Sequence, residues 1–419
     1  MSKRLGWLLG VLALAAIGGL MACGSKYSSS SDGLVLVGSQ GSNVIQSFSF
    51  SLSSGHIAGI SNPPATVQQP SAMVLDPAGS YAYAIVTDPT NTGFQCGNST
   101  VIAGIQSFKV NSGGSLTAGD CTPDPDPNAH PVALAMDAAG KFLFVAEGLG
   151  GGVNSYTVSS GSLTLVSSTY TFVNGTGFQT PNFVALAPTA TVFPSIGLNG
   201  QQNAVCSDVG NTPPPGQYLY VADSVNYVVW EFAVDTNTGA LGNPPNTLQV
   251  PFFTAGAVPS GVAVDPCDRF VYVANSLGNT VSAYTICDGL STQSQTCPVS
   301  QDGSLHAVTG SPFSIGSGSG PGPITVDRFG RFVYAVNTKS NNISPFQISS
   351  VSGSLTTLTV VATGLQPTAI AIRSDDNWVF VSNFGAATLS QYELTPATGL
   401  LTPQPAVSTD NYPWGVAVK

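Results

Sequence analysis

The chain has few charged residues. Asp, Glu, Lys and Arg make up only 8% of its 419 residues, against about 25% in an average soluble domain. The 11 Lys and Arg residues form no cluster, and the formal net charge is −10. A nucleic-acid-binding surface needs clustered basic side chains that displace counterions from the phosphates. We therefore expect no nucleic-acid partner.

Motifs of several catalytic and metal-binding sites are missing as well. The chain has no Gly-x-Ser-x-Gly nucleophile elbow and no His-Glu-x-x-His motif. It has no Cys-x-x-Cys pair either, so a zinc site is not expected, and nothing suggests a cofactor. The acidic segment Asp120–Asp126 could ligate calcium, but acids separated by prolines are more often simply solvated.

The N-terminus has the features of a bacterial export signal. Lys3 and Arg4 precede an apolar run over 5–21, which is shorter than the ~20 residues of a comfortable membrane span. The run ends in Leu-Met-Ala-Cys23, which resembles the lipobox of bacterial lipoproteins; an uncleaved anchor or a different cleavage point is the alternative. Gly24 after the cysteine favours the outer membrane as the location. The predicted divisions are a signal peptide over 1–22, the lipidated Cys23 and a Ser-rich tether over 23–33, and one domain over 34–419.

An internal repeat organises the domain. Each unit opens with Pro and an apolar run that usually ends in Asp, as in Pro259–Asp265, and an aromatic residue then opens a second run, as in Phe270–Asn275. A third run, such as Val281–Ile286, and a Gly-x-Leu step, as at Gly303, complete the unit. The runs alternate with a period of two and are rich in Val, Ile, Tyr and Phe, which is typical of β-strands.

The repeat predicts an all-β, seven-bladed β-propeller with four-stranded blades. The shortest period is 46 residues, from Pro321 to Pro367 and again to Pro413, which suits four short strands per blade. The first unit starts at its second strand, Leu34–Val37, and Pro413–Lys419 supplies the missing first strand. The C-terminal strand therefore completes the N-terminal blade and closes the ring, which hides the sheet edges.

The cysteines after Cys23 predict disulfide bonds. They are even in number and would lie outside the cytoplasm. From their places in the blades, Cys96 and Cys121 are expected on the mouth side of the propeller and the other four on the opposite face. Because a disulfide needs Cα atoms within about 7 Å, cysteines on different faces cannot pair. The predicted bonds are Cys96–Cys121, Cys206–Cys267 and Cys287–Cys297.

The blade consensus, with segments such as Tyr-Val-Ala-Asn275, resembles the YVTN-repeat propellers and the seven-bladed lactonase family of the 6-phosphogluconolactonase type. The resemblance implies a ligand site at the channel mouth, where the loops that enter the first strand and leave the second converge. In blade 3, His130 fits the family's histidine and Glu147 replaces the first acid of its Asp-Leu-Gly-x-Asp-Arg-like segment. Gly151 and Gly152 stand where the Asp-Arg pair would be, so the family's basic residue is missing.

These features leave two hypotheses for the site. His130 and Glu147 are a candidate acid/base pair, or else a loop histidine and a strand-end acid. Lys339 is the only cation expected at the mouth, which suits neutral or cationic ligands. Further candidate binding residues at the mouth are Asp223, Asn275, Asn337 and Asn383, and Asp88 adds another acid there.

The preferred function from sequence is a non-catalytic binding or interaction module of the bacterial envelope. It would be a monomer held to the membrane by its lipid anchor, with an unknown small molecule, glycan or protein as its ligand. The alternative is a lactone hydrolase that uses the channel mouth.

Overall fold

The structure is a computed structural model that describes residues 32–60, 65–126, 130–148, 152–170, 183–188, 217–243, 252–287 and 303–419. All regular elements within these ranges are strands. The predicted signal peptide, the lipidated Cys23 and nearly all of the tether lie outside the described residues. In the described part of the chain, no helix is long and apolar enough to cross a membrane.

The described strands form seven blades and one small hairpin. Blade 1 contains β1 (Asp32–Ser39), β2 (Val44–Ser51), β3 (Ile57–Gly59), β4 (Ala65–Thr66) and β34 (Pro413–Val418). Blade 2 contains β5 (Pro70–Leu75), β6 (Tyr81–Thr87), β9 (Ala103–Val110) and β10 (Leu116–Pro123), and the hairpin β7 (Phe94–Cys96) and β8 (Ser99–Val101) extends from it. Blade 3 contains β11 (Pro131–Met136), β12 (Phe142–Glu147), β13 (Gly152–Ser159) and β14 (Ser162–Tyr170).

The other four blades repeat this plan. Blade 4 contains β15 (Phe183–Pro188), β16 (Gln217–Asp223), β17 (Val228–Val234), β18 (Leu241–Gly242) and β19 (Phe252–Thr254). Blade 5 contains β20 (Pro259–Val264), β21 (Phe270–Asn275), β22 (Thr280–Ile286), β23 (Leu305–Ala307) and β24 (Phe313–Ser314). Blade 6 contains β25 (Pro321–Val326), β26 (Phe332–Asn337), β27 (Asn342–Ile348), β28 (Leu355–Thr357) and β29 (Val361–Ala362). Blade 7 contains β30 (Pro367–Ile372), β31 (Trp378–Asn383), β32 (Thr388–Thr395) and β33 (Leu400–Ser408).

The C-terminal strand closes the ring as the sequence predicts. β34 pairs antiparallel with β1, with Val35 opposite Val418 and Gly38 opposite Gly415. Neighbouring strands within every blade are antiparallel, and in blades 1, 4, 5 and 6 two short segments share the place of the fourth strand. The prediction of an all-β propeller with seven four-stranded blades is therefore confirmed.

The Gly-x-Leu step of the repeat is explained by a hydrogen bond between neighbouring blades. Tyr272 in β21 donates its hydroxyl to the carbonyl oxygen of Gly353 in blade 6 at 3.1 Å, and Tyr334 in β26 donates to Gly399 in blade 7 at 3.1 Å. Both glycines have a positive φ, which glycine adopts with little strain. The step therefore satisfies a buried tyrosine hydroxyl of the preceding blade.

Where the first run ends in Asp, this residue closes the turn to the second strand. In blade 5, Asp265 accepts backbone N–H bonds from Arg269 at 2.5 Å and Phe270 at 3.0 Å. It also forms a buried ion pair with the Arg269 guanidinium at 2.7 Å. Asp327 and Arg331 repeat the arrangement in blade 6. These basic side chains are thus tied to turns on the face opposite the mouth.

The first of the three predicted disulfides is confirmed. Cys96 and Cys121 are bonded, with their Cα atoms 4.9 Å apart, so the β7–β8 hairpin is tied to β10. Cys267 and Cys287 are also disulfide-bonded. Their predicted partners, Cys206 and Cys297, lie outside the described residues, so those two pairings stay predictions.

Candidate functional site

The predicted mouth residues share one position at the end of the second strand, which we call the strand-end position. In blades 3 to 7 its side chains are fully buried. In three of these blades an amide there donates to a serine hydroxyl seven residues later on the third strand. These bonds are Asn275 to Ser282 at 3.0 Å, Asn337 to Ser344 at 2.8 Å and Asn383 to Ser390 at 2.9 Å.

Asp223 fills the strand-end position of blade 4 with a similar structural role. Its carboxylate accepts bonds from the backbone N–H of Val225 at 3.0 Å, the Asn226 amide at 2.7 Å and the Trp230 indole N–H at 3.1 Å. The carboxylate therefore closes the turn between β16 and β17. A role in ligand binding for Asp223 and the three asparagines stays a prediction.

Glu147, at the strand-end position of blade 3, differs because a second carboxyl group meets it. Its Oε1 accepts a bond from the Asn154 amide at 2.8 Å. The carboxyl of Asp124, in the connection from blade 2 to blade 3, lies within hydrogen-bonding reach of Glu147. Two carboxylates in contact, one buried and one partly buried, repel each other, so one of them keeps its proton.

The pKa values show which carboxyl is protonated. Burial, together with the charge of Asp124 and the hydrogen bond to it, raises the pKa of Glu147 to about 9. Burial also raises the pKa of Asp124 to about 6, although bonds from the Asp126 N–H and from Glu147 oppose the rise. At neutral pH we infer that Glu147 holds the proton and donates it to the Asp124 carboxylate.

His130 belongs to the same cluster. It is exposed, and its carbonyl oxygen accepts the N–H of Gly148 at 2.8 Å, directly beside Glu147. Its charge favours the ionised form of Asp124 and so acts to lower the pKa of that carboxyl. The backbone of His130 thus lies beside Glu147, and both residues act on the pKa of Asp124. A catalytic role for His130 and Glu147 stays a prediction.

Sequence reasoning missed Asp124. It was considered only as one of the acids in Asp120–Asp126 that could ligate calcium or be solvated. Asp124 lies in the same connection between blades as His130, and this position could have indicated that Asp124 belongs to the site. In the described ranges, no group of three or more His, Cys, Asp or Glu side chains is arranged to hold a metal ion.

Asp124 lines a cleft on the mouth side of blades 2 and 3. The cleft has a volume of about 210 Å³, and its other lining residues are Asn91, Thr92, Gly93, Thr100, Val101, Ile102, Ala103 and Asp126. Most of this wall is the insertion that carries the β7–β8 hairpin, which the Cys96–Cys121 bond ties down close to Asp124. Within the insertion, Asp88 accepts bonds from Thr90 and from the N–H of Gly93, and these lower its pKa to about 2.

The charges around the cleft are negative. No Lys or Arg is among its described lining residues. Lys339 is exposed in the turn after β26 of blade 6. The other basic residues of the propeller lie toward the opposite face, and they are Lys109, Lys141, Arg269, Arg328, Arg331, Arg373 and Lys419.

A closed seven-bladed propeller with an acidic polar cleft on its mouth side is the class that the fold and the site define. The chain belongs to the family described as "Lactonase, 7-bladed beta-propeller", which residues 34–418 match.

Relatives with assigned names agree with this family. The chain is 25% identical over 289 residues to a 6-phosphogluconolactonase of Serratia proteamaculans, a match that covers 63% of this chain and 80% of that protein. The periplasmic gluconolactonase of Pseudomonas aeruginosa has a similar structure, with a TM-score of 0.68, 18% identity and coverage of 93% of this chain and 99% of that one. A Lactobacillus plantarum protein also matches, with a TM-score of 0.68, 17% identity and coverage of 93% and 99%.

These relatives overturn the preferred function from sequence. The expectation of a non-catalytic binding module is wrong, because the family and its named members favour the alternative of a lactone hydrolase. The basic residue missing at Gly151 and Gly152 and the lack of cations at the mouth had both spoken against lactonase activity. Sequence reasoning did not include Asp124, whose carboxyl interacts with that of Glu147.

Proposed function

We propose that the protein hydrolyses a neutral lactone in the cleft between blades 2 and 3. The observation that carries the proposal is the carboxyl of Asp124, which lines the cleft and interacts with the buried carboxyl of Glu147 and with His130. A general base works best when its pKa lies near the working pH. The pKa of about 6 for Asp124 meets this condition, since the group is ionised at neutral pH and still basic enough to accept a proton.

In the proposed reaction, Asp124 takes a proton from a water molecule as the water oxygen bonds to the lactone carbonyl carbon. The C–O bond of the ring then breaks, and the ring oxygen takes a proton to give the hydroxy acid. His130, at the exposed edge of the cluster, is the candidate donor of that proton. Glu147 is buried and does not meet the substrate, so we assign it a positioning role through its hydrogen bond to Asp124.

The charge distribution favours an unphosphorylated substrate. A phosphate group is usually bound by Arg or Lys side chains that neutralise it, and the described wall of the cleft offers none. The acids Asp124 and Asp126 on the same wall would repel it. The relatives are named as a 6-phosphogluconolactonase and a gluconolactonase. An unphosphorylated lactone fits this cleft better than a phosphorylated one.

Hydrolysis of glucono-1,5-lactone and of 6-phosphogluconolactone by the purified protein tests the proposal. We expect turnover of the first and little of the second, after subtraction of spontaneous hydrolysis. Because Asp124 must be ionised to act as a base, kcat/KM should rise with pH through about 6. A preference for the phosphorylated lactone would contradict the assignment of the substrate.

Variants separate the proposed roles. Asp124→Asn should lower kcat by about 10²–10⁴-fold, the usual contribution of general base catalysis, and His130→Ala should also lower it. Glu147→Gln keeps a donor to Asp124 and should keep the pH profile of kcat/KM. Glu147→Ala removes this donor and should change the apparent pKa of the profile. Glu393→Gln, an exposed acid on blade 7, is the matched control. Wild-type activity in Asp124→Asn would refute the mechanism.

A further inference from the structure

Three aromatic side chains form a partly exposed cluster on the mouth side, where blade 7 meets blade 1. Phe384 follows β31, and Tyr412 and Trp414 flank the proline that opens β34. The Phe384 ring stacks on Tyr412 with centroids 4.8 Å apart, and it meets Trp414 edge-on at 5.6 Å. Tyr412 is 52% exposed and Trp414 is 39% exposed. We call Phe384, Tyr412 and Trp414 the aromatic platform.

The blade repeat does not require aromatic residues at these positions. Most of the equivalent residues in other blades are small or polar. After the opening proline they are Ser71, Val132, Ser260, Gly322 and Thr368, and after the strand-end position they are Gly148, Ser224, Ser276 and Thr338. The aromatic residues that pack the blades together, such as Tyr284 and Tyr392, are buried on the third strands instead. A cluster of exposed aromatic residues outside the packing pattern indicates an interaction site.

The backbone holds the platform in place before any ligand arrives. The carbonyl oxygen of Trp414 accepts bonds from the hydroxyls of Ser382 at 2.9 Å and Thr368 at 3.0 Å, both on blade 7. A Cβ atom on Gly41 would lie 2.4 Å from Tyr412 Cδ2, so the glycine leaves room for the tyrosine ring. Such preorganisation lowers the entropy lost on binding.

Polar residues connect the platform to a second cleft. The Ser42 hydroxyl accepts the N–H of Asn411, which precedes Tyr412. Ser42 also lines a second cleft of about 480 Å³ on the mouth side of blades 1 and 2. The described lining residues of this cleft include no Asp, Glu, Lys or Arg, and they are Ser42, Asn43, Thr66, Val67, Gln68, Val86, Phe94, Gln95 and Gln106.

We propose that the aromatic platform and the adjoining cleft bind a neutral saccharide. The C–H face of a sugar ring packs on an aromatic ring, and amide and hydroxyl side chains bond to its hydroxyl groups. The absence of charge along the described cleft wall favours a sugar without phosphate or carboxylate. The site is separate from the Asp124–Glu147 pair and does not depend on lactone hydrolysis.

Calorimetric titration of the full-length protein with glucose, galactose, cellobiose and lactose tests the proposal. We expect at least one of these sugars to bind. Trp414→Ser and Phe384→Ala should each raise its Kd about tenfold or more, because each removes one face of the platform. Serine at 414 is the residue that blade 5 has at this position, Ser260, so the fold should tolerate it.

Two controls make the result specific. Leu277→Ser removes a 60% exposed apolar side chain on the mouth side of blade 5, and it should leave sugar binding unchanged. Asp124→Asn should bind the sugar as wild type does even if it hydrolyses no lactone, so this proposal and the proposed catalytic function can fail separately. The proposal is overturned if none of the four sugars binds or if the platform variants bind like wild type.

Discussion

Replacing Glu147 by Gln should stabilise the protein at neutral and higher pH, although the residue is completely buried. The amide has nearly the same shape as the acid. Its oxygen can still accept the bond from Asn154, and its NH₂ group can donate to Asp124 in place of the carboxyl proton. The substitution therefore removes a titrating group and leaves the hydrogen bonds of the site in place.

The size of the effect follows from the pKa of Glu147, which is about 9 in the fold against an ordinary value of 4.5. Because the folded pKa is raised, the native state holds a proton that the unfolded chain loses once the pH exceeds 4.5. Between pH 4.5 and about 9, the free energy of unfolding therefore falls as pH rises. The fall is about 1.4 kcal/mol per pH unit for one proton. Between about pH 5 and about pH 8, the buried Glu147 thus lowers the free energy of unfolding by about 4 kcal/mol.

Chemical denaturation of wild type and Glu147→Gln over this pH range measures the difference. The variant should match wild type near pH 5 and become more stable by up to about 4 kcal/mol near pH 8. Glu393→Gln, which alters an exposed carboxylate, should show no such pH-dependent difference. A stability difference between Glu147→Gln and wild type that stays constant with pH would refute the placement of the proton on Glu147.

Three further predictions concern covalent and topological links. Replacing Cys96 and Cys121 together by Ser removes a link across 25 residues and should lower the free energy of unfolding by about 3.5 kcal/mol by loop-closure entropy; unchanged denaturation midpoints would contradict this. Deleting Pro413–Lys419 should give insoluble or strongly destabilised protein, and wild-type melting would count against closure by this strand. Cys23→Ser should abolish lipid labelling and release the protein from membranes. Persistent labelling would disprove the lipoprotein prediction.

The sequence predicts the fold because several blades use the same local contacts. The Asp that ends the first strand, such as Asp265, closes a turn by accepting two backbone N–H bonds. The glycine after the third strand, such as Gly353, presents a carbonyl oxygen to a tyrosine of the preceding blade. Because these contacts recur from blade to blade, the residues that make them repeat along the sequence at a regular spacing. The same period places the strand-end residues and the faces of the cysteines.

Periodicity gives no information about the parts in which blades differ. Asp124 lies in a connection between blades, and the wall of its cleft is an insertion that carries an extra hairpin. Whether such an acid is solvated or packed against a second carboxyl depends on the path of the loop through space. The same limit applies to the aromatic platform, whose three residues come from two distant parts of the chain.

In blade 3 the strand-end position holds the carboxyl group of Glu147, where blades 5 to 7 have an asparagine. In blade 5 the strand-end Asn275 donates to Ser282 on the third strand. In blade 3 the direction is reversed, because Glu147 accepts from Asn154 at the equivalent place. The hydrogen bond between the second and third strands survives this exchange, so a carboxyl group enters the position without loss of the contact that the fold needs. Its second oxygen, Oε2, has no other partner among the described residues, which leaves it to carry the proton that is donated to Asp124. A buried acid in one blade thus donates a hydrogen bond to an acid at the cleft, and this bond opposes the rise that burial causes in the pKa of Asp124.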